Sequence, residues 1–176
     1  MRRAREMATP KLSRKALEVL LRGEFPEMSH AMSDYKIENL WFGGCRLRMG
    51  FSDRALRPGG TLSGATMMAL ADFAMYVAVL SAVGWVPLAV TTNLSINFLK
   101  RPAARDLFAE ARLLKLGKRL AVGEIGIRSD GEGELVAHAT STYSLPTETV
   151  RKYHQTKLLK TSGKTTSAVD RQRRSR

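Results

Sequence analysis

Between Pro58 and Leu99 the chain carries one charged side chain, Asp72, midway along a run of apolar and small residues from Ser63 to Val83. An ionised carboxylate in such surroundings is costly unless it is paired, hydrogen-bonded or neutralised. Isolated acids of this kind often do chemistry, because desolvation raises the pKa of a general base or makes a nucleophile more reactive. The competing reading is a carboxylate that caps a neighbouring backbone group, since structural networks also perturb acids. The three histidines, His30, His138 and His154, are far apart in sequence, and Cys45 is the one cysteine. None of these has zinc-site spacing, so no metal is expected.

The elements around Asp72 follow from hydrophobic period. Residues 10–22 read as a short amphipathic helix with Thr9 as N-cap, Pro10 at its first position and Gly23 as its stop. Phe25-Pro26 begins an irregular link. Residues 35–42 and 45–51 read as a hairpin turning at Gly43-Gly44, and 57–61 as a loop. Thr61 or Ser63 would cap the long helix and Gly84 would end it. From Val90 to Phe98 the period becomes two: Val90, Thr92, Leu94, Ile96 and Phe98 fall on one face, Thr91, Asn93, Ser95 and Asn97 on the other. Residues 106–116, 120–129 and 134–144 give three more strands, joined by turn-like links and so antiparallel neighbours. A helix apolar all round must be covered on nearly every side, which a strongly curved antiparallel sheet would do. The fold class is therefore α+β, and the sheet's edges call for a second copy of the chain.

The 176 residues suit one globular domain with a real core. The run 63–83 is long enough to span a bilayer, but the central Asp72, the small residues and the strands that follow favour a buried core helix. The net charge of +13 lies mostly at the ends: residues 151–176 hold nine Lys or Arg against Asp170 alone. That basic tail reads as disordered and solvated, and the absence of interleaved aromatics makes nucleic acid an unlikely partner. The N-terminus lacks the apolar region of a secretory signal. With a single cysteine and no disulfide, a cytoplasmic location is expected.

The segment Ser63-Gly-Ala-Thr-Met-Met-Ala-Leu-Ala-Asp72 resembles the His-Gly-Gly-x4-Leu-x-Asp motif of hotdog-fold acyl-CoA thioesterases, closest to the PaaI-like group. The stretches 89–103, 109–124 and 135–143 follow in the family's order, so the resemblance covers about residues 10–146. It implies a hotdog fold, a curved sheet around a central helix. It divides the chain into an N-terminal helix and link (1–30), a thioesterase domain (31–148) and the basic tail (149–176). It also implies acyl-CoA hydrolysis without a cofactor, coenzyme A being part of the substrate, at a site between subunits of a dimer or tetramer.

By the same resemblance Asp72 is the nucleophile or the base for water, and Gly64 offers its backbone N–H to the thioester oxygen at the positive end of the helix. Thr91 falls where some members place a hydroxyl from the neighbouring subunit, with Thr92 one residue away. Ser63 replaces the motif's His and Ala65 its second Gly, although Ser63 can still cap the helix and Ala65 still has its N–H. Arg57 stands where a polar Asn or Gln often holds substrate or water. The phosphates of coenzyme A suit Lys100, Arg101 and Arg105, or Lys118 and Arg119 in their turn. Met67, Met68, Phe73, Tyr76 and Val77 are candidates for the acyl pocket or for plain core. A hydratase on this fold would need a histidine at the site, and His138 reads as structural on one sheet face. The altered Ser63-Gly64-Ala65 corner keeps open a non-catalytic acyl-CoA-binding protein.

Overall fold

The computed structural model describes residues 8–24, 34–57 and 59–147. The N-terminal basic residues, the link at Phe25-Pro26 and the tail 149–176 lie outside them. The described elements run α1 (Arg14–Glu24), β1 (Tyr35–Trp41), β2 (Gly44–Met49), a 3-10 turn (Asp53–Ala55), β3 (Leu56–Arg57) and β4 (Thr61–Leu62). They continue with α2 (Gly64–Val83), β5 (Val90–Phe98), β6 (Leu107–Leu116), β7 (Leu120–Ser129) and β8 (Ala137–Ser144). Six strands form one sheet in the order β1-β2-β6-β7-β8-β5, antiparallel throughout. This is the hotdog arrangement: the sheet wraps α2, and β5, the strand that follows the helix, lies at the far edge beside β8.

Alternation sorts the strands. Cys45 and Leu47, Ala109 and Ala111, Ala121, Ile125 and Ile127, then Ala137 and Ala139 point inward and are buried. The outer face is polar. There Arg48 bonds Glu38 and Asp106, each at 2.8 Å, with its guanidinium 4.1 Å above the Phe108 ring. His138 is on this outer side, 3.5 Å from Glu124. From Ala74 to Ala82 every residue of α2 is buried. Its most apolar eighteen residues are long and apolar enough to cross a bilayer, but 72% of them are buried inside the fold. The N-terminal third is different: Met68 is 41% exposed, so one chain alone leaves this part uncovered.

Close approach of helix and sheet depends on small residues. A Cβ on Gly123 of β7 would stand 2.6 Å from the Met75 Sδ and 2.8 Å from the Arg112 carbonyl oxygen. The Cys45 thiol donates to the Ala74 carbonyl at 3.3 Å across the same interface.

Several local expectations are corrected. Helix α1 starts at Arg14, with Ser13 rather than Thr9 taking an N–H, that of Ala16 at 3.2 Å, and it runs on through Gly23 to Glu24. The chain before it is held away from the helix because the Lys11 N–H bonds the Ser81 carbonyl at 2.7 Å. Where a loop was expected, Leu56–Arg57 and Thr61–Leu62 form a small ribbon, β3 with β4, with Gly59 and Gly60 at φ of 98° and 70°. The first hairpin turns at Phe42-Gly43, because Trp41 pairs with Gly44. The strand expected from Glu134 begins at Ala137.

Two measurements follow. Gly123→Ala is expected to lower stability by about 1–3 kcal/mol through overpacking. Gly133→Ala, with open space at its Cβ, should change stability by less than about 1 kcal/mol. Urea midpoints of both variants check the pair. Burial pushes the Cys45 thiol well above its ordinary pKa, so the native state holds that proton more tightly than the unfolded chain. The stabilisation this brings is complete below the unfolded thiol pKa of about 8.5 and is lost as pH rises above it. Urea midpoints taken between pH 7 and 10 should therefore fall more steeply for the parent than for Cys45→Ala.

Candidate active site

The site is built on α2 from both ends. At its N-terminus Ser63 is extended (φ −75°, ψ 154°) and its Oγ accepts the Thr66 N–H at 3.1 Å. The Ser63 carbonyl takes the Met67 N–H at 3.2 Å. Ser63, not Thr61, is therefore the cap. The Gly64 and Ala65 N–H groups remain without an acceptor among the described residues, as the first turn of a helix requires. The Phe98 ring lies over Gly64, where a Cβ would meet it at 3.1 Å. A cleft of about 450 Å³ opens here, lined by Gly64, Met67, Phe98, Leu99, Arg57 and Arg101 among others.

Two turns further along α2, Asp72 is half-buried rather than fully enclosed. Two hydroxyls converge on one of its oxygens. Thr91 Oγ1 donates to Oδ1 at 2.6 Å. The Tyr143 hydroxyl lies 2.8 Å from the same Oδ1 and 3.0 Å from the Asp72 carbonyl oxygen. Tyr143 is 3% exposed. Burial first, and then the charge of Asp72, push its pKa far above the ordinary tyrosine value, against a lowering contribution from the Thr91 hydroxyl. It is therefore a neutral donor throughout the neutral and mildly alkaline range. A second cleft, again about 450 Å³, opens beside this group and is mostly apolar, with Leu21, Phe73, Tyr76, Pro87 and Val90 in its wall.

The strict alternation read along β5 places Thr91 opposite Leu94, and the structure corrects it. A bulge between Thr91 and Asn93 lets Thr91 pair with Tyr143 while Leu94 pairs with Ser141 and Ile96 with Ala139. Paired residues share a face, so Thr91 joins Leu94 and Ile96 on the helix side. Thr92 is spent in the bulge, where its hydroxyl bonds the Thr142 carbonyl at 3.1 Å. The bond between Thr91 and Asp72 is made by residues of one chain. The strand expected to be half-buried is largely exposed on both faces, because it is the sheet's edge.

The remaining candidates divide. Arg57 bonds the Thr61 hydroxyl at 2.9 Å and lies with Arg101 on the Gly64 cleft. Lys100 lines the same cleft but is held by Glu134 at 3.2 Å and Glu132 at 3.4 Å, so its charge is already engaged. Arg105 bonds the Asp130 carbonyl at 3.3 Å. Lys118 and Arg119 are exposed in the β6–β7 turn, at the Thr91 end of the sheet, where Leu120 and Val90 both pair with Ser144. Phe73 and Tyr76 line the Asp72 cleft, Met67 lines the Gly64 cleft, Met68 is exposed and Val77 is core. No histidine lines the Asp72 cleft among the described residues. Sequence reasoning assigned no role to Tyr143; the available signal was a phenol at an inward position of a strand whose other inward residues are Ala137, Ala139 and Ser141.

Known proteins share this fold. The thioesterase superfamily's model matches residues 59–136. A candidate esterase of Saccharolobus solfataricus is 35% identical over 114 residues, which span 65% of this chain and 75% of the relative. A solved candidate thioesterase from Silicibacter is 42% identical, with a TM-score of 0.71, over 80% of this chain and 96% of the other. The phenylacetic acid degradation protein PaaI of Thermus thermophilus, solved as a mutant, is 26% identical with a TM-score of 0.60, over 69% of this chain and 99% of that one. A curved antiparallel sheet around one helix, with a carboxylate at mid-helix and these relatives, makes the chain a member of the thioesterase superfamily.

Proposed function

We propose that the protein hydrolyses acyl-CoA thioesters, with Asp72 acting on water or directly on the carbonyl. One observation carries this reading: a single helix presents a hydroxyl-anchored carboxylate at an apolar cleft and, at its capped N-terminus, two free backbone N–H groups. The acyl group fits the apolar cleft beside Asp72. Water between Asp72 Oδ2 and the thioester carbonyl gives its proton to Oδ2 as its oxygen bonds the carbon. The resulting oxyanion needs donors about 3 Å away, and helix N-terminal amides are suited to that charge. Collapse breaks the C–S bond, and the thiolate leaves with the proton that Asp72 took.

Gly64 and Asp72 are eight residues apart, so their backbones are separated by about 12 Å along the helix. No single carbonyl can meet both within one chain. The complete site therefore takes Asp72 from one copy and Gly64 and Ala65 from a second. Strand β5 is an open edge carrying exposed Val90 and Phe98, and it passes Asp72 at Thr91 and Gly64 at Phe98. Antiparallel pairing of two such edges sets the Thr91 end of one copy beside the Phe98 end of the other, giving two equivalent sites. Arg57 and Arg101 of one copy and Lys118 and Arg119 of the other then stand at the mouth to take the phosphates of coenzyme A.

Thiol release from short, medium and aryl acyl-CoAs tests the reaction. Asp72→Asn is expected to lower it by orders of magnitude with the fold intact. A fully active variant removes Asp72 from the reaction, and saturable binding without turnover in the parent would mark a non-catalytic acyl-CoA-binding protein. Subunit mixing tests the shared site. Ala65→Pro lies in the first helical turn, where the N–H that proline lacks makes no helix bond; it deletes one donor and should cost about 10²–10³-fold in kcat. Mixed and refolded with Asp72→Asn chains, it should recover up to about a quarter of parental activity, because each heterodimer keeps one intact site. No recovery would place both groups in one chain.

A further inference from the structure

We propose that Tyr143 is a positioning residue that, with Thr91, fixes Asp72 Oδ1 and leaves Oδ2 as the reacting oxygen; this rests on the thioesterase reading above. The two hydroxyls come from different strands, β5 and β8, and both meet Oδ1. Oδ2 has no protein partner among the described residues. A carboxylate's terminal torsion is broad and nearly two-fold, so an unheld Asp exchanges its oxygens freely. Donors on one oxygen stop that exchange and hold the other towards the cleft.

The two donors are not equivalent. Thr91 is exposed on the open edge and directly precedes a bulge, whereas Tyr143 is buried in the sheet between Thr91 and Ala121. Its ring stacks on Tyr76 at 6.1 Å with the planes 30° apart. A rigid phenol at 2.8 Å is thus the fixed reference against which the carboxylate is set. It retains its proton in the working range and so does not supply the leaving thiolate. The titratable groups lining the cleft are Asp72, Tyr76 and Tyr143.

The test compares the full chain with Tyr143→Phe, which keeps the ring and removes one oxygen. Expected are a fall in kcat of about 10–100-fold and a KM within about twofold. An unchanged kcat would overturn the assignment. Should the parent hydrolyse no acyl-CoA, the ¹³C carboxyl resonance of Asp72 at neutral pH reports the same contact without turnover. A resonance that moves in Tyr143→Phe then keeps Tyr143 and rejects the thioesterase reading, whereas one that does not move rejects Tyr143. Should Tyr143→Phe not fold, the Tyr143 ¹³Cζ resonance is compared between the parent and Asp72→Asn, and a resonance that does not move overturns the contact.

Discussion

One helix serves as both the core of the molecule and the frame of its candidate site, and these duties conflict. A core helix must be apolar and covered, whereas a site needs a charge and an opening. Helix α2 resolves the conflict along its length. From Ala74 to Ala82 it is buried without a break, and its side chains there pack against inward residues of β2, β6 and β7. Before Ala74 the cover thins, Asp72 is only half-buried, and Met68 faces out. The carboxylate thus sits at the boundary where the sheet's own cover ends.

That boundary explains why the polar groups around Asp72 come from the last two strands of the sheet order. Strands β8 and β5 are where the curved sheet runs out, and the bulge at Thr92 turns Thr91 inward at the last step. Without the extra residue, period-two alternation would aim Thr91 at solvent on the outer face and leave Asp72 with Tyr143 alone. The same edge exposes apolar side chains that one chain cannot cover. The opening beside Asp72 and the exposed apolar edge are one feature of the fold.

Sequence patterns carried most of this architecture because they are local. Thr61 or Ser63, Gly84 and the apolar run between them mark α2 within two residues of its ends, and three strands separated by turn residues read as antiparallel neighbours. Asp72 was legible because a charge in an apolar run is conspicuous. What stayed hidden was non-local. The contact between Tyr143 and Asp72 joins positions 71 apart, and a tyrosine in a strand looks like ordinary packing until the helix is laid across it. The bulge at Thr92 exists only in the pairing with β8, so nothing along β5 itself announces it. Lys100 looked free because the glutamates that hold it lie in the loop before β8, across a sheet register the sequence does not display.

The altered corner of the motif also reads differently once the helix is in place. The family's His-Gly-Gly corner is here Ser63-Gly64-Ala65, and substitution of two of three residues suggests a weakened site. Yet what the proposed oxyanion would take from this corner is backbone: two N–H groups in the first helical turn, which any non-proline residue supplies. Ser63 keeps those groups aimed by capping the turn through Thr66, with its Oγ also 2.8 Å from the Thr66 hydroxyl. Ala65 changes the space beside the helix, not the donor. Gly64 is the exception, since its missing Cβ makes room for the Phe98 ring. The one residue of the corner retained from the motif is the one whose side chain the structure could least accommodate; of the two that changed, Ala65 keeps its main-chain N–H and Ser63 caps the turn through its hydroxyl.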